Sequence, residues 1–485
     1  MIREVELAVV GAGPAGIEAA IAASAAGVDV TLIDSAPKPG GQYFQQSPEY
    51  FQPDDGSDRE VEAKRLFKRL CSSDVTFLPD TLVWGLFAGP KPGTWCLTLH
   101  GPTAPARLNA RAVILATGAY DRSVPFPGWD LPGVITAGAA LRLVKNQRIL
   151  PGKHVVLSGA GPLQLAAAAH LVQAGAEVIA VCESSTGLLW RCLPRLPAAW
   201  GQWSRAKEGL GYLMALVRGH VPYRLGWTVI SARGEDKVRE VVIARLDRGS
   251  PPSLGGQITL AVDALVVGYG LTPGTELCRV VDCDFEFEAY RGGFVPRRNE
   301  NMETSCPGLY AAGDCAGIGG AKMAGAEGQI AGCAAAARLH RLSEREARAR
   351  MAHARAVISR EQRFARLVGD LFSPRPELYA LAGADTMICR CEQVTLGQIR
   401  EAISFGAQTV SDIKNLTRAG MGNCQGRTCG TIAAQILASE TSRSVESARY
   451  LSIRPPIHPV PLAVIEERTQ DLVRTSGEVT PDGSN

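Results

Sequence analysis

Nothing in this chain of 485 residues leans to one charge: 51 Lys and Arg stand against 48 Asp and Glu, a net charge of +3. So close a balance supplies no long-range field to draw in nucleic acid or an anionic bilayer, and small-molecule partners become the default. Long apolar runs are missing too. Ala-rich stretches such as Leu165 to Leu171 are bounded by Gly or polar residues and fall well short of the roughly 18 uninterrupted apolar residues of a membrane helix. That leaves no integral membrane segment, and any membrane association is peripheral. The opening Met1-Ile2-Arg3-Glu4-Val5-Glu6 carries acidic residues and runs straight into an apolar strand, unlike a signal or transit peptide. The expected location is the cytoplasm, with peripheral attachment at the inner membrane as the variant. None of the seven histidines (His100, His154, His170, His220, His340, His353, His458) lies in a motif with a carboxylate or nucleophile, so no general base and no catalytic residue is nominated. There is no Cys-x-x-Cys, nor a Cys-x4-Cys in the segment directly after the first glycine-rich turn, where a disulfide reductase would carry it.

What is present begins at Leu7-Ala8-Val9-Val10, a buried parallel strand that feeds Gly11-Ala12-Gly13-Pro14-Ala15-Gly16 and an Ala-rich helix. Gly11 permits the tight turn, Gly13 lets the backbone approach a pyrophosphate, and Gly16 lets helix and strand pack closely. Asp34 closes the next strand, Val28 to Ile33, where a carboxylate accepts from ribose hydroxyls. Ala112 to Leu115 leads to Ala116-Thr117-Gly118, and Gly308 to Ala312 ends in Gly313-Asp314. These three segments, in this order, resemble the FAD domain of the two-dinucleotide-binding flavoprotein family. The resemblance implies that Asp314 bonds the ribityl chain and that Gly40-Gly41-Gln42 passes along the flavin. It also implies that Gln329 starts a helix pointing at the isoalloxazine.

A second fingerprint is damaged. The strand Lys153 to Ser158 precedes Gly159-Ala160-Gly161-Pro162-Leu163-Gln164, with Gln at the third glycine position. A larger residue there pushes helix from strand and weakens the usual pyrophosphate pose. Glu183 stands where a ribose-binding acid belongs and disfavours a 2′-phosphate. The readings left open are NAD, another adenine nucleotide, or an empty scaffold.

Thirteen cysteines in a reducing compartment argue against structural disulfides. Nine, among them Cys71, Cys182, Cys192 and Cys278, sit singly and read as packing residues. The other four are Cys389-x-Cys391 and Cys424-x4-Cys429. Around them, Thr395-x-x-Gln398 and Thr409-x-x-Asp412 predict capping boxes of short helices, which could scarcely form a core without a staple. Four thiolates suit zinc or an iron–sulfur cluster. A neighbouring flavin gives a one-electron carrier a task, and Arg390, Arg418 and Arg427 could offset a cluster's charge. The spacing and flanking helices resemble bacterioferritin-associated ferredoxin, which implies [2Fe–2S].

The expected fold is α/β: a flavoprotein with two dinucleotide-binding domains of doubly wound parallel sheet, plus a small helical BFD-like [2Fe–2S] domain. The expected segments are 1–150 with 275–340 for FAD, an inserted nucleotide domain at 151–274, a helical linker at 341–386, the cluster domain at 387–440 and a Pro-containing extended tail at 441–485. Over its full length this order resembles the larger subunit of hetero-oligomeric amine dehydrogenases, of the opine oxidase, D-hydroxyproline or proline dehydrogenase and hydrogen cyanide synthase type. The resemblance implies that an amino-acid-oxidase-like flavoprotein partner oxidises a small amine substrate at a C–N bond. This chain then relays electrons to an external acceptor. Further implications are a small ferredoxin-like subunit, together with a second flavin shared with the partner. The rival readings are a hydrogen cyanide synthase subunit oxidising glycine, a stand-alone NAD(P)H-dependent reductase, and a non-enzymatic redox sensor.

Overall fold

The computed structural model describes residues 2–46, 58–186, 202–246 and 256–465. Cys192 and the tail beyond residue 465 lie outside the described residues. Runs of Val, Ile, Leu and Ala buried on both faces are what a parallel sheet covered by helices requires, and two sheets built around such runs form. The first has seven strands, in the order Thr76–Leu78, Val30–Ile33, Ile2–Val10, Arg107–Leu115, Trp95–His100, Leu82–Ala88, with Leu309–Ala311 paired to Arg107–Leu115. The long strand Arg107–Leu115 is shared along one edge. Its first half takes the antiparallel strand Trp95–His100, and its second half, Val113 to Leu115, takes Leu309–Ala311 in parallel. That arrangement brings the ends of Ile2–Val10, Val30–Ile33, Arg107–Leu115 and Leu309–Ala311 to one rim.

The first sheet is thus mixed, with an antiparallel edge of Trp95–His100 and Leu82–Ala88, whereas the second is wholly parallel and runs Tyr223–Leu225, Glu177–Glu183, His154–Gly159, Ala264–Gly268, Val134–Thr136. Since Val134–Thr136 and the helix Ala137–Arg142 belong to this layer, the chain leaves the first sheet well before the expected boundary at 150. The crossing between layers is a two-stranded antiparallel link, Ala119–Asp121 with Leu271–Pro273. After Leu309–Ala311 come the helix Ala321–Arg338 and a long helix, Glu344–Phe372, capped by a Ser343–Glu346 box. None of the described helices is long and apolar enough to cross a membrane.

The cluster domain consists of a hairpin, Met387–Cys389 with Val394–Thr395, and helices Leu396–Ser404, Val410–Thr417 and Cys429–Thr441. Both capping boxes form, Thr395 with Gln398 and Thr409 with Asp412. The small domain does not stand alone. Its apolar residues Ile388, Val394, Ile399 and Ile432 share one continuous core with Phe126, Trp129, Val229 and Tyr269, and the Trp129 indole N–H donates to the Met387 carbonyl at 2.6 Å. The staple anticipated for these helices is thus helped by the neighbouring domain.

Candidate functional site

The first fingerprint is built as its glycines require. The Gly11 N–H donates to the Ile33 carbonyl at 2.7 Å. A Cβ on Gly16 would collide with the Gly11 carbonyl, and one on Gly11 with the Ala116 carbonyl. The helix Pro14–Ser24 has Gly13 before it and receives no side-chain cap, so its N–H groups remain available to a phosphate. Asp34 accepts from the backbone N–H groups of Ala12 and Ala36; burial nevertheless pushes its carboxyl above the usual range. Ala15 is buried beneath the turn. Gly41 abuts Gly13, while Gln42 is exposed.

At the next strand end the Thr117 hydroxyl donates to the Gly274 carbonyl at 2.6 Å, which ties this loop to the strand returning from the second domain. Among the described residues, no atom lies within 4 Å of a Cβ placed on Gly118. Gly313 donates to Glu327 at 2.8 Å. Asp314 accepts from Gly319 and Gly320 at 3.0 and 3.2 Å, with its pKa raised by burial. Uncapped N–H groups, an open glycine and carboxylates at strand ends separated by Ile2–Val10 and Arg107–Leu115 along one rim fit an extended dinucleotide. One expectation is corrected. Gln329 does not start a helix, because the helix begins at Ala321 after the Gly319-Gly320 turn. Gln329 sits in its middle and donates to Glu18 at 3.0 Å. The helix terminus beside Asp314 is therefore the one at Ala321.

The second fingerprint keeps its strand and helix. Gln164 turns inward, buried, and its amide donates to the Cys182 carbonyl at 2.9 Å. Glu183 accepts from Gly161 and Ser185, each at 2.9 Å, and burial raises its pKa. Gly159 lies against the Gly268 carbonyl, and a side chain added at Gly161 would meet Phe372 at 3.0 Å. The end of the long helix therefore lies against this turn, whereas among the described residues no atom approaches a Cβ at Gly118 within 4 Å.

The four cysteines converge in two couples. Cys389 is hydrogen-bonded to Cys429, and Cys391 to Cys424. Cys389 and Cys429 are buried, Cys424 is half-buried and Cys391 is exposed. The hydrogen bond from Cys429 lowers the Cys389 thiol to about 6, with help from the Gly420 N–H, and the same bond raises Cys429. No group of three or more His, Cys, Asp or Glu side chains among the described residues is arranged to hold a single metal ion. Four thiols brought together beside an uncapped helix starting at Cys429 fit a [2Fe–2S] cluster. Of the three arginines expected to offset its charge, Arg418 pairs with Glu392 at 2.9 Å and Arg390 stacks over Trp129. Arg427 reaches out of the domain, to the Tyr120 hydroxyl at 3.0 Å and the Glu276 carboxylate at 3.3 Å. The loop holding Cys424 and Cys429 is thereby fixed two residues from Gly118.

Sequence reasoning missed several residues. His458, read as ordinary, lies 3.1 Å from Arg427, and the Ile457 N–H donates to the Trp84 carbonyl, so this stretch of the Pro-rich tail lies on the chain's own surface. Cys278, Cys283 and Cys306, read as isolated packing residues, form one cluster. Its only signal was the spacing Cys278-x4-Cys283.

Comparison with known proteins follows the same division. Residues 5–338 match the family described as "Pyridine nucleotide-disulphide oxidoreductase", and residues 387–439 match "BFD-like [2Fe-2S] binding domain". An opine oxidase subunit of Agrobacterium tumefaciens (strain Ach5) is 32% identical over 94% of this chain and 90% of that protein. Hydrogen cyanide synthase subunit HcnB of Pseudomonas aeruginosa is 32% identical over 94% of this chain and 97% of that protein. Among solved structures, L-proline dehydrogenase from P. horikoshii shares the fold, with a TM-score of 0.69 and 21% identity over 96% of this chain and 80% of that one.

Proposed function

We infer that this chain, which belongs to the pyridine nucleotide-disulphide oxidoreductase family and carries a BFD-like [2Fe-2S] domain, is the flavin and iron–sulfur subunit of a hetero-oligomeric dehydrogenase acting on an amine or amino acid at a C–N bond. Relatives named as subunits of opine oxidase and hydrogen cyanide synthase support that class and the need for other subunits. The partner is an amino-acid-oxidase-like flavoprotein that carries the substrate pocket, since no described histidine stands with a nucleophile or base arrangement in the flavin site.

The observation that carries the reading is the Arg427 bridge to Tyr120 and Glu276, which joins the cysteine loop to the strand end after Gly118. FAD, when bound, takes two electrons and passes them on singly, and a [2Fe–2S] cluster carries one at a time. The residues supply binding and placement. Gly11, Gly13, Pro14 and Gly16 would present the helix terminus to the pyrophosphate, Asp34 would accept from the ribose, and Asp314 with the turn before Ala321 would hold the flavin side. Cys389 and Cys429, buried, with Cys424, half-buried, and Cys391, exposed, would hold the cluster, and the exposed Cys391 would leave it open to an external acceptor.

Phe372 against Gly161 favours this reading over a self-sufficient NAD(P)H reductase. Anaerobic mixing of the isolated, fully loaded chain with NADH should leave the flavin band unbleached, while the co-purified complex should reduce an artificial dye with one of glycine, proline, D-hydroxyproline or an opine. Stoichiometric bleaching by NADH would overturn the assignment.

A further inference from the structure

One corner of the first domain gathers thiols that neither the flavin site nor the cluster uses. The short helix Glu276–Val280 and the turn after it bring Cys283 back over Cys278, with the Cys283 N–H donating to the Cys278 carbonyl at 3.0 Å. The turn that precedes Leu309–Ala311 delivers Cys306, and the Cys283 and Cys306 sulfurs stand 3.5 Å apart. The Thr304 hydroxyl lies 3.7 Å from the Cys283 sulfur, and the Cys306 sulfur lies 3.5 Å from the Val281 carbonyl. Cys283 is buried and Cys306 half-buried, so a small oxidant can reach the pair from one side. Both residues sit in connecting segments outside any strand ladder, and bonding them breaks no sheet.

We propose that Cys283 and Cys306 form a peroxide-oxidisable dithiol, with Cys283 as the attacking sulfur and Cys306 as the resolving one. The hydrogen bond from Cys278 draws the Cys283 thiol down to about 7 against the effect of burial. Burial, with Cys283 beside it, pushes Cys306 up to about 12. Near neutral pH the couple therefore holds one substantial thiolate and one thiol, the division of charge that thiol oxidation followed by disulfide closure uses.

The chemistry balances with hydrogen peroxide as oxidant. The Cys283 thiolate attacks one peroxide oxygen; an S–O bond forms, the O–O bond breaks, and the departing hydroxide takes up a proton to leave as water. The Cys306 sulfur then attacks the sulfenic sulfur, with loss of its proton. The S–S bond forms, the S–O bond breaks, and a second water departs. Two thiols together lose two electrons and two protons, and peroxide becomes two waters. Peroxide arises wherever the electrons of a reduced flavin reach dioxygen instead of their acceptor, so the dithiol stands where stalled electron flow is felt. Its closure ties the turn at Cys306 to the loop at Cys283, immediately upstream of the strand that ends in Gly313-Asp314.

The test uses the intact chain loaded with FAD and cluster, exposed to graded hydrogen peroxide, alkylated and mapped by mass spectrometry while the cluster's visible absorbance is followed. The expected result is a Cys283–Cys306 linked peptide that forms before the cluster bleaches and disappears with dithiothreitol. In C306S, Cys283 should instead be trapped by dimedone as its sulfenic acid, and C283S should give neither product. Two results overturn the proposal: both thiols remaining fully alkylatable until the cluster is destroyed, or a bond forming between Cys278 and Cys283 in place of the predicted pair. The mapping on unaltered protein decides the matter even if a variant fails to fold, and turnover plays no part in it.

Discussion

Arg427 and Glu276 form an ion pair at 3.3 Å across the seam between the cluster domain and the flavin domain, and both side chains are almost wholly buried. The same guanidinium donates to Tyr120 at 3.0 Å and to the Ile457 carbonyl at 3.2 Å. One side chain thus joins the loop of Cys424 and Cys429, the flavin-side strand and the tail.

Removing it leaves the buried Glu276 carboxylate with the longer Arg279 contact at 3.7 Å, a loss of at most about 3 kcal/mol, the low end for stripping a buried pair of one partner. Arg427→Ala should lower stability by about that amount in chemical denaturation and loosen the small domain, so that iron is lost faster than FAD on desalting. Arg427→Lys, which keeps the charge without the planar fork, should lie between the two. A variant as stable as the parent, with unchanged iron retention, would show that the seam is held elsewhere.

The cysteine couples make a sharper prediction about the cluster. Cys391 is exposed and makes no core contact, so Cys391→Ser should abolish the cluster's visible and electron-paramagnetic signals while FAD content and fold persist. Cys429→Ser replaces a buried sulfur within the shared core and should cost stability as well. Full iron and acid-labile sulfide in Cys391→Ser would remove that residue from the ligand set.

The reach of the sequence follows from how local each signal is. Gly11, Gly13 and Gly16 act within one turn, Thr395 and Thr409 cap within three residues, and the sequence pairs Cys389-x-Cys391 and Cys424-x4-Cys429 each span a few residues, so all were legible, whereas the pairing of cysteines between those two segments was not. Nor was the helix start at Ala321. Gln329 falls on an Ala-rich helix whose burial gives no face to read, and only the pairing with Glu18 fixes its direction. Long-range events were equally silent: Phe372 closing on Gly161, Arg427 reaching Tyr120, and Val134–Thr136 joining the second sheet all depend on how elements dock. Gln164 shows the intermediate case. The substitution was visible, but its inward turn to Cys182 depended on a carbonyl 18 residues away.

Asp314 lies at the end of Leu309–Ala311 as the proposed acceptor for the flavin side chain. Asp314→Ala should weaken FAD binding by about tenfold or more, on the order of 1.5–3 kcal/mol for a hydrogen bond to a charged group, measured by fluorescence titration of the apoprotein. Since Asp314 also holds Gly319 and Gly320, Asp314→Asn is the control. It retains an acceptor and should recover part of the affinity, whereas equal FAD affinity in all three proteins would exclude the contact.

The last prediction concerns pH and rests on His458. Burial first, and then the Arg427 guanidinium 3.1 Å away, hold its pKa down at about 4, against an ordinary 6.5. In the unfolded chain the imidazole takes a proton as pH falls through 6.5, while in the folded chain it stays neutral until about 4. Between those values the unfolded state binds more protons, so this residue makes stability fall as the solution is acidified and contributes no slope above that window. The buried carboxyls Asp34, Glu183 and Asp314, with raised pKa values, act in the opposite direction, which is why the net curve alone is not diagnostic. The informative measurement is the difference between the parent and His458→Gln in denaturant midpoint from neutral pH down to the mildly acid range. The Gln variant should lose the His-dependent part of the acid slope while keeping an uncharged side chain beside Arg427. Parallel curves for the two proteins would mean that the imidazole is charged in the folded state, and the tail would then have to leave Arg427.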